Sequence, residues 1–168
     1  DYAFLIWGLL ELYETTFDVN LLQTALELNQ DLLKHFWDYE NGGFFFSADD
    51  GERLLVRKKE IYDGPIPSGN SVAMLNLLRL GRITANPDLE EKAGRIGRAF
   101  SRNVKQALSA YTQLMMAVDF GVGPSYEITV VGKSQADDTK AMVRALKTYF
   151  IPNKVVVFRP VEQESSEI

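Results

Sequence analysis

The sequence predicts a mainly α fold: a partial (α/α) toroid of helical hairpins followed by a small C-terminal βαβ unit. Three observations predict it. Five segments carry helical periodicity. They alternate between helices that are apolar almost all round and helices with a single apolar stripe, the pattern an inner layer wrapped by an outer layer requires. After "GVGPS" the period changes to two β-branched runs that flank one more helix. The expected organisation is a partial toroid over residues 1–123, a βαβ appendage over 124–160 and a charged tail over 161–168.

The first helix, "DYAFLIWGLLELYETT" (Asp1–Thr16), is apolar on nearly every side as far as Tyr13, so it is expected to be buried on both sides. The second, Val19–Asp38, places Leu22, Ala25, Leu26, Leu33, Phe36 and Trp37 on one stripe and can be capped by Asp18 or Asn20. Asn41-Gly42-Gly43 stops it. Phe44–Ser47 reads as a short strand, and Asp50-Gly51 as the turn of a hairpin returning through Leu54–Val56. Arg53, Arg57, Lys58 and Lys59 form a basic run expected to be solvated. The third helix, Asn70–Thr84, is again apolar on several sides. In the fourth, Asn86 suits the N-cap, Pro87 the first helical position, and Asp88, Glu90 and Glu91 the positive end of the dipole. The fifth runs Ser109–Phe120 and is ended by Gly121. Tyr126–Gly132 then reads as a buried strand, and Ser134–Phe150 as a helix with Ser134 and Asp137 at capping-box spacing. Asn153–Pro160 is the second strand. Two parallel strands make no stable sheet alone, so they need a cover from elsewhere.

Composition removes whole classes of function. The hydrophobic fraction is 46% and the charged fraction 24% of 168 residues, ordinary for a globular domain. A net charge of −5 with no basic stripe argues against a nucleic-acid partner. No cysteine is present, which excludes disulfides, thiol catalysis and thiolate zinc sites within this sequence. The single histidine, His35, excludes histidine-rich metal sites, so no metal and no cofactor is expected. No apolar run is long enough for a membrane span, and no signal peptide is visible at the start, so a cytoplasmic location is expected. The abrupt opening on Asp1 reads as a piece of a longer protein.

One loop stands out. "IYDGPIPSGNSVAML" (Ile61–Leu75) crowds Asp63, two prolines, two glycines, Ser68 and Asn70 ahead of an apolar helix. Ser68, Asn70 and Ser71 are all capping residues, and Pro67 places the helix start between Ser68 and Ser71. Asp63 lies too far upstream to be needed for that cap. Its polar groups either shape the turn or hold a ligand. In a toroid the inner-helix ends surround a central cavity, so Asp1-Tyr2, the Asp63–Asn70 loop, and Tyr111 with Gln113 would converge on its mouth.

Five stretches carry a family resemblance: "DYAFLIWGLLELYETTFD", "GGFFFSADD", "YDGPIPSGNSVAMLNLLRL", "AYTQLMMAVDF" and "YEITVVGK…ADDTKAMVRALKTYFIPNKVVVFRP". Together they span nearly the whole sequence. They resemble the C-terminal part of the spermatogenesis-associated, thioredoxin-domain-containing family, with the Asp-Gly-Pro-Ser-Gly-Asn loop the most specific element. One departure is Leu108-Ser109, where a proline is expected nearby. The resemblance implies an α/α toroid similar to N-acylglucosamine 2-epimerases and six-hairpin glycosidases, preceded in the family by a thioredoxin-like domain and the first part of the toroid. Neither of these has a counterpart here, and His35 alone cannot supply the epimerase histidine pair. By fold analogy the ligand is a carbohydrate-like small molecule. Asp63 and Asp1 are then the candidate catalytic carboxylates, with Tyr2, Ser68, Asn70, Tyr111 and Gln113 as substrate contacts. The alternative is a non-catalytic scaffold or interaction module supporting the thioredoxin-like domain. The missing N-terminal part of the same protein is the expected partner, with no nucleic acid and no membrane.

Overall fold

Two-residue and three-residue links build the first two hairpins of the computed structural model, which describes residues 1–52 and 55–161. Arg53 of the basic run, Leu54 of the expected hairpin return Leu54–Val56 and the tail beyond Val161 lie outside the described residues; Leu55 and Val56 are exposed and form no strand. Helix α1 (Tyr2–Thr16) ends where Phe17 adopts φ 57° and gives its amide to the Tyr13 carbonyl at 2.6 Å. A left-handed phenylalanine is strained, and ring contacts with Tyr13 and Phe158 hold it there. Asp18 then opens α2 (Val19–Phe36), its carboxylate accepting the Asn20 amide at 3.0 Å. In the second hairpin α3 (Gly69–Ile83) leads to α4 (Pro87–Gln106). Asn86 caps α4 through the Asp88 amide and Pro87 takes the first helical position, as the sequence predicts.

Helix α5 (Thr112–Val122) follows a 3-10 turn at Leu108–Ala110. Gly121 lies inside α5 and does not end it; the helix stops at Gly123, whose amide donates to the Asp119 carbonyl. Helix α3 sits between α1 and α5, α2 packs on α1, and α4 packs on α3. Asn76 Nδ2 donates to the Ala3 carbonyl at 2.7 Å, and Arg79 one turn on reaches Glu11 and Glu14, so α1 and α3 run parallel. The Asp63 carboxylate bridges the amides of Ser68 and Leu114, at the starts of α3 and α5, so these two also share a direction. The result is a row of three parallel helices with α2 and α4 as a second layer. Only α3 is buried nearly all round; α1 and α5, at the ends of the row, expose Leu5, Leu12, Met116 and Val122. The apolar circumference of α1 predicts burial on both sides, and the structure leaves part of α1, like part of α5, open.

Strands β1 (Tyr126–Gly132) and β2 (Lys154–Pro160) pair in parallel from Tyr126↔Lys154 to Gly132↔Pro160, with α6 (Asp137–Thr148) between them. The cover for this unit comes from the helical layer. Strand β2 packs on α1 and α3, burying Val155 and Val156. Strand β1 is the more exposed of the two and buries only Val130, against the expectation of a buried strand. Helix α6 starts three residues later than expected. The Ala136 amide closes a turn onto the Lys133 carbonyl, and Ala136 stands at the N-cap.

The segment between α2 and α3 departs most from its sequence reading. The expected strand reduces to one antiparallel bridge, Trp37↔Phe44. Phe44 is buried, Phe45 lies under the Arg57 guanidinium at 4.3 Å, and Phe46 is exposed. The basic run is not simply solvated. Arg57 donates to the carbonyls of His35 (2.9 Å) and Ser47 (3.0 Å), and Lys59 to the Gly42 carbonyl (2.6 Å) and Asp38 (2.5 Å). A loop with little apolar burial is tied instead by cations reaching main-chain acceptors.

Candidate functional site

The loop ahead of α3 is a clamp. Ser68 is the N-cap: its hydroxyl accepts the Ser71 amide at 3.1 Å, and the helix starts at Gly69, inside the expected window. Asp63 is only 8% exposed. One carboxylate oxygen accepts the Ser68 amide at 2.8 Å, and the other accepts the Leu114 amide at 3.1 Å. Leu114 lies in the first turn of α5, whose own cap residue Tyr111 makes no side-chain cap bond. Asp63 therefore caps α5 from a distance while holding the approach to α3. Its amide donates to the Ala110 carbonyl, completing the tie. Asn70 does the same work toward the preceding loop. Its Oδ1 accepts the Phe44 amide at 2.6 Å, and its Nδ2 donates to the carbonyls of Phe44 and Glu60. This copies the pairing of a strand and explains why Phe44 finds no further strand partner. Gly43, at φ 79°, lets the Asn70 side chain approach; a Cβ there would lie 3.2 Å from Asn70 Oδ1 and 3.0 Å from the Phe100 ring.

The remaining expected residues sit at the same end of the row. Asp1 is exposed at the cap of α1 and makes no side-chain cap bond. The Tyr2 ring packs on Phe36, with centroids 5.6 Å apart. Tyr111 is partly buried against the core. Gln113 is 6% exposed, and its Nε2 has no partner among the described residues. None of these seven residues lines the cavities described here.

A different set of polar residues does converge on a cavity. It has a volume of about 520 Å³ and lies between the α1–α3–α5 row and the βαβ unit; no residue of α2 or α4 lines it. At its wall Arg79, buried within α3, donates to Glu11 at 2.6 Å and to Glu14 at 2.9 Å. Glu11 also accepts the Trp7 indole N–H at 3.1 Å. Burial works against the charged guanidinium, but Glu14 and Glu11 outweigh it and raise the Arg79 pKa above its ordinary value. Tyr149 and Phe150, both largely exposed, line the cavity as well. Aromatic faces, carboxylates and a fixed cation thus share one wall-lined space, which is how a site for a small polar ligand is built. A sequence signal for it existed. An arginine inside "MLNLLRL", on a helix with no polar side, must find an acid, and Glu11 and Glu14 are the acids that interrupt the apolar first helix.

Two other charged groups are accounted for by pairing. His35 Nδ1 lies 2.9 Å from Asp49 and 3.4 Å from Asp50. The hydrogen bond to His35 is the main influence lowering the Asp49 pKa. At Asp38 burial pushes the carboxyl up, yet hydrogen bonds from Lys59, Asn41 and the Glu40 amide prevail and hold it well below the carboxylate range.

The chain is similar to spermatogenesis-associated protein 20. The human protein of that name is 39% identical over 158 residues, covering 94% of this chain and 20% of its own length, and the rat protein is 38% identical over the same span. An uncharacterised protein of Caenorhabditis elegans is 31% identical over 166 residues, covering 99% of this chain and 22% of its own. The chain spans about a fifth of the length of these relatives. The similarity supports the family resemblance drawn from the sequence. No family model matches the chain. Among the described residues no helix is long and apolar enough to cross a membrane.

Proposed function

We propose that the chain is an arc of an α/α toroid in a protein of the spermatogenesis-associated, thioredoxin-domain-containing family, and that the cavity facing the βαβ unit binds a neutral, carbohydrate-like polyol. One observation carries this reading: Trp7, Glu11, Glu14 and Arg79, joined by hydrogen bonds, line one cavity together with Tyr149 and Phe150. The aliphatic C–H face of a sugar ring stacks on an aromatic side chain, while its hydroxyls donate to carboxylate oxygens and accept from an arginine. The wall offers each of these partners. Arg79 fixes both carboxylates, so their acceptor positions are set before a ligand arrives, which lowers the ordering cost of binding.

In this reading Asp63, Ser68 and Asn70 position the inner helices and do not touch the ligand, because backbone groups already engage them. That same observation favours the second reading, a non-catalytic scaffold that supports a thioredoxin-like domain. Thermal-shift screening of the full-length protein against neutral mono- and disaccharides separates the two. The polyol reading expects a sugar-dependent rise in melting temperature that Trp7→Ala abolishes. No shift with any sugar, combined with partner capture that survives Trp7→Ala, would establish the scaffold in its place.

A further inference from the structure

A second, larger groove of about 1030 Å³ lies where the α1–α2 turn meets the βαβ unit. Its chemistry differs from that of the first cavity. Lys140, Arg144 and Lys147 recur at spacings of four and three on α6, so they share one face of that helix, and all three line the groove. Lys147 is engaged: its ammonium donates to the Thr15 carbonyl at 2.7 Å and stands 5.6 Å from the centre of the Phe17 ring. Lys140 and Arg144 are exposed and have no side-chain partner among the described residues. The groove's one lining acid, Asp18, already accepts the amide and the side chain of Asn20. In a chain of net charge −5, this wall thus holds two unpaired cations and a third nearby. The hydroxyls of Thr15, Thr16 and Thr139 add hydrogen-bonding groups around it. Its floor is apolar, with Phe17 and Phe158 in ring contact at 5.6 Å.

We propose that this groove is a binding site for the phosphate group of a small ligand, held between Lys140 and Arg144. A phosphate suits the pair. Arginine grips two of its oxygens with a planar fork and lysine adds a point charge. The groove adjoins the first cavity, with Thr15, Phe17, Val143 and Lys147 lining both. A ligand in both spaces would carry its hydroxyls at Glu11 and Arg79 and its phosphate at Lys140 and Arg144: a phosphorylated polyol. This second step rests on the polyol reading above, whereas the phosphate site rests on the α6 cations alone.

The test titrates the full-length protein calorimetrically with inorganic phosphate, glucose 6-phosphate and glucose at fixed ionic strength. The double variant Lys140→Gln/Arg144→Gln and the charge-keeping variant Lys140→Arg/Arg144→Lys are titrated beside it. Both positions are exposed, and a melting curve checks that each variant folds. The proposal expects inorganic phosphate or glucose 6-phosphate to bind, at least tenfold more weakly in the glutamine variant and within about threefold of the parent in the charge-keeping one. The stronger of the two phosphates identifies the source. Binding of neither phosphate, or equal binding in the glutamine variant, overturns the site. The glucose arm, repeated in Trp7→Ala, reports on the polyol cavity separately: glucose binding without a gain from the phosphate leaves that reading standing and removes this one.

Discussion

Replacing Asp63 by alanine removes the acceptor of two amides at once. The Ser68 and Leu114 amides each lose a charge-assisted bond, of 2.8 and 3.1 Å, in a site where the carboxylate is 8% exposed. A buried donor left unpaired costs about 1–3 kcal/mol. Two such donors give about 2–6 kcal/mol, and some water entry past the truncated side chain places the expected loss near 3 kcal/mol. For a domain of this size that is a fall of roughly 6–12 °C in melting temperature. Urea unfolding monitored by circular dichroism measures the loss, and amide exchange locates it. Exchange at Leu114 should accelerate first, because the start of α5 has no other side-chain cap. Asp63→Asn keeps one acceptor oxygen but turns an N–H₂ toward the second amide, so its cost should lie between parent and alanine. An alanine variant within 0.5 kcal/mol of the parent, on the roughly 1 kcal/mol scale of a single net hydrogen bond, or unchanged exchange at Leu114, would refute the clamp.

Other expectations follow from the same contacts. Arg79→Met should destabilise by about 2–4 kcal/mol, at or below the range for breaking a buried pair because Glu11 is largely exposed; adding Glu14→Gln should recover part of it, as read by urea unfolding. Asn86→Ala should cost about 1 kcal/mol by loss of the α4 cap, measured the same way. The Asp38 carboxyl is depressed in the folded state, so its stabilisation is fully present above the ordinary carboxylate pKa and is lost as pH falls below it toward the folded value. Asp38→Asn should accordingly flatten the acid side of the stability–pH curve below about pH 4, the usual Asp value; an unchanged acid limb would contradict the assignment. Gly81→Ala should destabilise measurably in thermal melts, because the new Cβ would meet Glu90 Cγ at 2.8 Å and the Asn86 carbonyl at 3.1 Å.

Local signals were legible in the sequence where one residue has one physical job. Asn86-Pro87, Asp18 and Ser68 each mark a helix start, because an unpaired amide needs a short polar side chain nearby. The alternation of all-apolar and striped helices located the layers, although burial all round holds only for α3, which has neighbours on every side. Tertiary compensation was not legible. Nothing in "YDGPIPSGN" shows that Asp63 reaches an amide 51 residues away, or that Asn70 serves as a strand partner for Phe44 26 residues back. The work of the loop's own polar groups was illegible for a related reason. Polar residues clustered in a loop attract a ligand hypothesis, yet a loop that joins two buried helix starts needs those groups for its own backbone. Glu11, Glu14 and Arg79 are isolated in apolar sequence, and only the parallel packing of α1 and α3 brings them together.

The polyol cavity is the central claim, and the Trp7 indole reports on it most directly. Its N–H is bonded to Glu11 at the cavity wall, while the chain's other indole, Trp37, is buried beside Phe44 at the C-terminus of α2. Nitrogen–proton NMR of the selectively tryptophan-labelled full-length protein resolves the two. Titration with neutral sugars is predicted to move the Trp7 indole resonance in a saturable way and to leave Trp37 in place. A Trp7 resonance that stays fixed across the sugar panel, or that moves in step with Trp37, would contradict the account.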